Sequence, residues 1–247
     1  MPRRQMNGDL RKMILPRPSG DLALDEDSPR SQTTIAYEVI RSDILGGRLV
    51  PQKKLKIQEL ASELDISPGA VREALSRLIP EQLVVSRDQR GFAVAPLSLA
   101  DLADLTDLRC EIEAVALRRS VERGDVNWEV AILGAEHRLR NLDPELGMEE
   151  AKRLWVRNHA AFHNALVSAC GSRRLLLLHA QLYEQSERYR GLMFHVEAKR
   201  DVEGEHREIV ALALARDTEQ LVARLVEHLR TTTDLIIEAF GQGGDGE

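Results

Sequence analysis

Apolar residues recur at helical spacing soon after residue 30. Ile35, Val39, Ile40 and Ile44 fall three to five positions apart, and the run stops at Gly46-Gly47, the signature of a helix that buries one face. "VPQKKL" breaks the period and reads as a turn. "KIQELASELDI" predicts a short helix with Ile57, Leu60, Ala61 and Leu64 inward and a tight link at Asp65-Ile66. "SPGAVREALSRLI" predicts another: Ser67 caps it and Pro68 is its first residue. Val71, Ala74, Leu75 and Leu78 form its buried stripe, which leaves Gly69, Ala70, Arg72, Ser76 and Arg77 facing outward. Two β-rich runs follow, Leu83 to Ser86 and Phe92 to Ala95, around a polar turn with Gly91, and together they read as a hairpin. Pro96 ends it.

After Ser98 the pattern becomes uniformly amphipathic. Six long segments, "SLADLADLTDLRCEIEAVALRRSVE", "VNWEVAILGAEHRLRNL", "MEEAKRLWVRNHAAFHNALVSAC", "RRLLLLHAQLYEQSERYRGLMFHV", "VEGEHREIVALALAR" and "TEQLVARLVEHLRTTTDLIIEAF", carry the helical period to Phe240. The expected fold is mainly α: an N-terminal winged helix-turn-helix of three helices plus a β-hairpin wing, then an all-helical bundle of about six helices. The expected domains are a mobile N-terminal tail over 1–31, the winged helix-turn-helix over 32–97, the bundle over 98–240 and a flexible tail over 241–247. No internal repeat is visible.

Composition agrees with helices. Aromatic residues make up only 4% of the chain, so the core is aliphatic. Cys110 and Cys170 stand far apart in no metal or redox spacing, which predicts buried thiols in a reducing compartment. No apolar run approaches the roughly 18 residues of a membrane span, and the basic N-terminus lacks the apolar stretch of a secretory signal. The expectation is a soluble, cytoplasmic protein without a membrane partner.

A net charge of −6 argues at first sight against a nucleic-acid partner. The charge is not evenly spread. Residues 1–100 hold 15 Lys+Arg against 13 Asp+Glu, and the remainder takes the other 19 and 27, giving +2 and −8. An acidic total therefore conceals a locally basic module. In a winged helix-turn-helix the second of the paired helices enters the major groove and its first turns meet base edges. That assigns Ser67, Gly69, Ala70, Arg72, Ser76 and Arg77 to double-stranded DNA. Lys54, Lys56, Gln58, Arg90 and Gly91 fall beside them, where phosphates would lie, with Lys53 and Arg87 nearby. The alternative is a helix-turn-helix that serves protein contacts only.

The bundle carries a different chemistry. His159 and His163 are four residues apart and share one helical face. His206 and His228 are 22 residues apart, which suits two antiparallel helices joined near Asp217 with the imidazoles at similar height. Three helices can then aim four imidazoles at one point. An all-nitrogen site favours a divalent transition metal: Zn, alternatively Ni, Cu or Fe. His137, His179 and His195 fit no such pattern and read as structural. A metal-dependent hydrolase of the His-Glu-x-x-His type needs Glu after the first His, and Ala160 stands there. A purely structural metal is the other alternative.

These segments resemble a known family. Ile44-Leu45-x-Gly47, Leu55, Leu60-Ala61, Ser67, Val71-Arg72-Glu73-Ala74-Leu75, Leu78, Leu83-Val84 and Gly91 are similar to the DNA-binding domain of the GntR family of bacterial transcription regulators. The chain departs from that pattern at Pro68, where the family usually has Arg, and at Gln52 and Gln82, where it often has Gly. "DLTDLRCEIEAVALRRS", "HAAFHNALVSACGSRRLLLL" and "EHREIVALALARDTEQLVARLVEHL" resemble the FCD ligand-binding domain of the FadR-like subgroup. There Asp-x-x-Phe-His, Glu-His and His-Leu supply an Asp and three His to a divalent metal. His163, His206 and His228 match; His159 occupies the Asp position. Either four histidines bind, or three bind and His159 turns aside. The resemblance implies a homodimeric, ligand-responsive regulator, most simply a repressor, on a palindromic operator. It further implies a small carboxylate effector met by Arg109, with Arg188 or Arg190 in a similar role. An Arg109–Glu113 pair on the first bundle helix would otherwise read as an ordinary solvent pair.

Overall fold

A computed structural model of the chain describes residues 31–87, 91–143, 145–191 and 200–241. The expected tail over 1–31 lies outside these apart from Ser31, as do Arg90, His195 and residues 242–247. The chain divides into two compact units, 1–98 and 99–247.

The first unit contains α1 (Gln32–Leu45), β1 (Lys54–Leu55), α2 (Ile57–Leu64), α3 (Pro68–Leu78), β2 (Val84–Arg87) and β3 (Gly91–Val94). Ser31 caps α1 by accepting from the Thr34 amide. Ser67 caps α3 by accepting from the Ala70 amide at 3.3 Å, with Pro68 in the first turn. α2 ends at Asp65, whose left-handed φ of 55° turns the chain sharply into α3. Ile40, Val71, Leu75, Leu78 and Val84 pack into one aliphatic core. Two differences from the sequence reading emerge. The turn at 50–55 contains a strand: Lys54 and Leu55 pair antiparallel with Ala93 and Phe92, so the sheet order is β1-β3-β2. Two residues are too few to show a period of two. Ala70 is also buried, at 8% exposure, rather than facing outward.

Backbone geometry explains three residues of this unit. Gly91 opens β3 at φ +79°, a conformation only glycine adopts without strain. Gln52 and Gln82 sit at φ 64° and 58°, so a β-carbon occupies the left-handed region at both positions.

The second unit is helical throughout its described residues: α4 (Leu99–Arg123), α5 (Val126–Arg140), α6 (Met148–Val167), α7 (Arg173–Arg190), α8 (Val202–Leu214) and α9 (Thr218–Gly241). Its core joins Leu117, Ile132, Phe162, Leu166, Ile209, Leu221 and Leu225. Cys110 and Cys170 are both buried free thiols. Among the described residues no helix is long and apolar enough to cross a membrane.

Candidate metal centre and nucleic-acid interface

α6 buries Phe162 and Leu166 in the core, and the same registration turns His159 and His163 inward, one turn apart. Asp201 caps α8 by accepting from the Gly204 amide at 2.8 Å, which sets the helix phase that buries His206. Arg216, at φ 57°, reverses the chain into α9. This antiparallel return brings His228 back to His206, with ring centroids 4.9 Å apart.

All four imidazoles are buried, and their four donor atoms lie within 4.8 Å of one another. The Nε2 atoms of His159 and His163 are 3.3 Å apart, a separation two nitrogens show when each is about 2.0–2.1 Å from one ion. The widest spread exceeds the roughly 3.4 Å between tetrahedral donors at that bond length, so the outermost rings would close by about an ångström around an ion. The residues therefore fit a divalent metal, and His159 is not turned aside from the cluster.

Two of the rings are hydrogen-bonded from behind, and a third faces a carboxylate. His159 Nδ1 is 2.7 Å from the Tyr183 hydroxyl, and the ring stacks on Trp155 at 4.6 Å. His228 Nδ1 is 2.6 Å from Glu205. His163 Nδ1 faces Glu113 at 3.8 Å. The hydrogen bonds behind His159 and His228 orient their rings with Nε2 toward the centre. His206 Nε2 is buried with no hydrogen-bond partner among the described residues, the condition expected of a ligand atom whose partner is an ion.

Electrostatics keeps these rings neutral. Burial pushes His163 down to about 3 and His206 down to about 2, and holds His159 and His228 below the ordinary imidazole range. Glu113 and Glu205 are pulled below the usual carboxylate range against the opposing effect of burial, Glu113 chiefly by the Arg109 charge and Glu205 by hydrogen bonds from His228 and Arg200. A neutral imidazole is the form that can coordinate.

A cavity of about 540 Å³ opens onto His159, His163 and His228. Arg109 lines it, and the Arg109–Glu113 pair is buried rather than solvent-exposed. Arg109 donates to Glu113 through Nε and to Ser186 through Nη1 at 2.7 Å, while its Nη2 is buried and without a partner among the described residues. Arg188 is buried but does not border this cavity; Arg190, two residues on, does. Arg190 pairs with Glu187 and covers the face of Trp155 at 4.3 Å, and Arg200 pairs with Glu205.

Sequence reasoning missed Tyr183, Glu113, Glu205 and Arg200 as supports. Glu205 carried a signal, since it immediately precedes His206. His179 was read as structural and is fully buried 3.6 Å from Glu113, with neither ring nitrogen hydrogen-bonded among the described residues.

In the first unit, Lys54, Lys56, Gln58, Gly69, Arg72 and Gly91 border one groove. Ser67 and Ser76 are exposed nearby on α3. Arg77 instead lies over the Tyr37 ring at 4.5 Å, which ties it to α1. Ala70 faces the core, and Arg90 lies outside the described residues.

Comparison with known proteins places both units. Residues 32–94 match the model of the bacterial regulatory proteins of the gntR family, and residues 104–231 match the FCD domain. The chain is 38% identical over 232 residues to an uncharacterized HTH-type transcriptional regulator, BphR, of Paraburkholderia xenovorans, covering 90% of this chain and 94% of that one. It is 34% identical to the HTH-type transcriptional repressor GlaR of Escherichia coli, over 83% and 95% of the two chains. Its fold resembles that of a GntR regulator from Rhodococcus sp. RHA1, with a TM-score of 0.70 at 23% identity over 85% and 99% of the chains.

Proposed function

Because the chain belongs to the GntR family of bacterial transcription regulators and carries an FCD ligand-binding domain, we propose that it is a metal-centred repressor released from a palindromic operator by a small organic acid. The observation that carries this reading is the meeting of four neutral, buried imidazoles with a cavity that also exposes Arg109. GlaR, a relative along most of both chains, is itself named a repressor. Family members are non-enzymes, and the residue after His159 is Ala160, so no carboxylate stands where a zinc hydrolase keeps its base.

His159, His163, His206 and His228 would hold the ion, with nitrogen donors that suit Zn, or alternatively Ni, Cu or Fe. When bound, the ion supplies a +2 charge and coordination positions for an anion. The surrounding charges support this. Arg109 with Glu113, Arg190 with Glu187 and Arg200 with Glu205 form three pairs, each neutral in sum. With His at the position of the family's Asp, nothing in this set cancels the ion's charge, and a carboxylate is the natural complement. Arg109 lines the cavity, and a small turn of its guanidinium would bring the buried, unpartnered Nη2 to the acid's second oxygen. Protein purified without a metal-affinity tag should contain about one divalent ion per chain by elemental analysis. His163→Ala should abolish it. A metal-free wild type would refute the site.

DNA binding rests on the groove between α3 and the wing. A dimer places two α3 helices in successive major grooves, so a palindrome is the matching target. Gly69 admits close approach and Arg72 reaches a base edge or a phosphate. Arg72→Ala should weaken binding to the cognate operator by about 1–3 kcal/mol, measured by fluorescence anisotropy. An equal loss on random DNA would show that Arg72 only holds the backbone.

A further inference from the structure

The cavity continues well beyond the imidazoles. Thr106 and Thr233 hydrogen-bond to each other at 2.7 Å and so pin α4 against α9; Asp107 and Arg230 pair one turn along, at 2.9 Å. Both contacts require the two helices to run antiparallel. On α9 the lining runs from His228 to Ile236, eight residues or about 12 Å. On α4 it runs from Arg109 back to Leu102, seven residues or about 10 Å. One end of this channel is therefore lined by imidazoles and by Arg109. The other end is walled by Leu102, Leu142, Ala151, Leu235 and Ile236.

The polar groups along the channel are already committed. The Thr106 hydroxyl donates to the Leu102 carbonyl at 2.8 Å, and the Thr233 hydroxyl can then donate to Thr106, so neither has a proton left for a ligand. Arg190 and Arg200 are each matched by a carboxylate, and Lys152 is not without a partner either. Among the buried side-chain atoms of the described residues, Arg109 Nη2 is a donor without a partner on a residue that lines this cavity, at the imidazole end. A second carboxylate placed at the far end would be desolvated against leucine and isoleucine, and the one cation beside that wall, Lys152, already has a partner of its own. An acid of two or three carbons would leave most of 540 Å³ unfilled.

We propose that the effector is an amphipathic monocarboxylate, its head at the imidazoles and Arg109 and an alkyl or aromatic body of about six to eight carbons lying between α4 and α9 toward Leu102 and Ile236. This rests on the metal-and-carboxylate reading above and narrows it from small acids in general to acids with one charged and one apolar end.

The test is titration calorimetry on the full-length, metal-loaded chain with butanoate, hexanoate, octanoate and phenylacetate, beside the diacids glutarate and octanedioate. Affinity should rise about fourfold per buried methylene, roughly 250-fold from butanoate to octanoate if all four added methylenes are buried. Octanedioate should bind at least about tenfold more weakly than octanoate, since its second charge meets apolar wall. Leu235→Lys supplies a cation at that wall and should reverse the order of these two acids with metal content unchanged. Diacids that match or exceed monoacids of equal length would overturn the proposal and leave the metal-and-carboxylate reading standing. If protein with a full metal complement binds none of these acids, both readings fall. If Leu235→Lys does not fold, the wild-type series decides alone.

Discussion

Chelating the ion out of the purified protein should lower the unfolding temperature of the helical unit by roughly 8–16 °C. An ion present at about a thousand times its dissociation constant contributes about 4 kcal/mol to the state that binds it, and a unit of this size shifts by about 2–4 °C per kcal/mol. The structure gives the reason the loss is not recovered elsewhere. His206 Nε2 is buried with no alternative partner among the described residues, and the rings of α6, α8 and α9 are otherwise joined only by edge and tilted contacts. The DNA-binding unit has its own aliphatic core and no histidine, so its transition should not move. His163→Ala should melt at the chelated temperature with or without chelator. A wild type whose melting is indifferent to chelation, measured by calorimetry, would mean that the cluster holds no ion.

Acid should then unfold the metal-free helical unit early, between about pH 6.5 and 5. Burial holds His159, His163, His179, His206 and His228 below the ordinary imidazole range in the folded chain. In the unfolded chain they titrate near 6.5. As pH falls through that value the unfolded state takes up protons that the folded state refuses, so stability falls with pH. The loss starts at the unfolded value and continues until the folded values are reached. Each such histidine contributes up to about 1.4 kcal/mol per pH unit. Acting together they can remove an amount comparable to a typical total stability of about 5–15 kcal/mol within two units. Glu113 and Glu205 shift in the same direction but from a lower range: their contribution is intact above about 4.5 and is lost only below it. Circular dichroism that stays flat from pH 7 to 5 and breaks near 4 would assign acid sensitivity to these carboxylates instead. The bound ion competes with protons, so the loaded protein should break at lower pH.

Much of this was legible before any coordinates. The 3.6-residue period located every helix of the second unit because each buries one aliphatic stripe, and a stripe is a sequence property. The 22-residue interval from His206 to His228 gave their meeting, since a tight turn between two helices fixes the register of both. What escaped was whatever depends on contacts distant in the chain. Glu113 and Arg109 read as a solvent pair because i,i+4 spacing does not reveal what α7 lays over them. Ala70 read as outward because the stripe of α3 is wider than four residues show. Arg188 and Arg190 differ by two positions, about 200° around α7, and the sequence contained no mark to say which of the two borders the cavity. β1 was too short to carry a pattern at all.

Gln52 and Gln82 hold left-handed backbone in the exposed turns on either side of the α2–α3 pair. Each carries a conformational cost on the order of 1 kcal/mol that glycine would relieve in part, and neither borders the groove assigned to DNA. The chain therefore holds a small amount of recoverable stability at sites apart from that groove. Glycine at either turn would offset part of a destabilising change at Gly69 or Arg72, and the two turns set how large a change in the groove the fold can absorb.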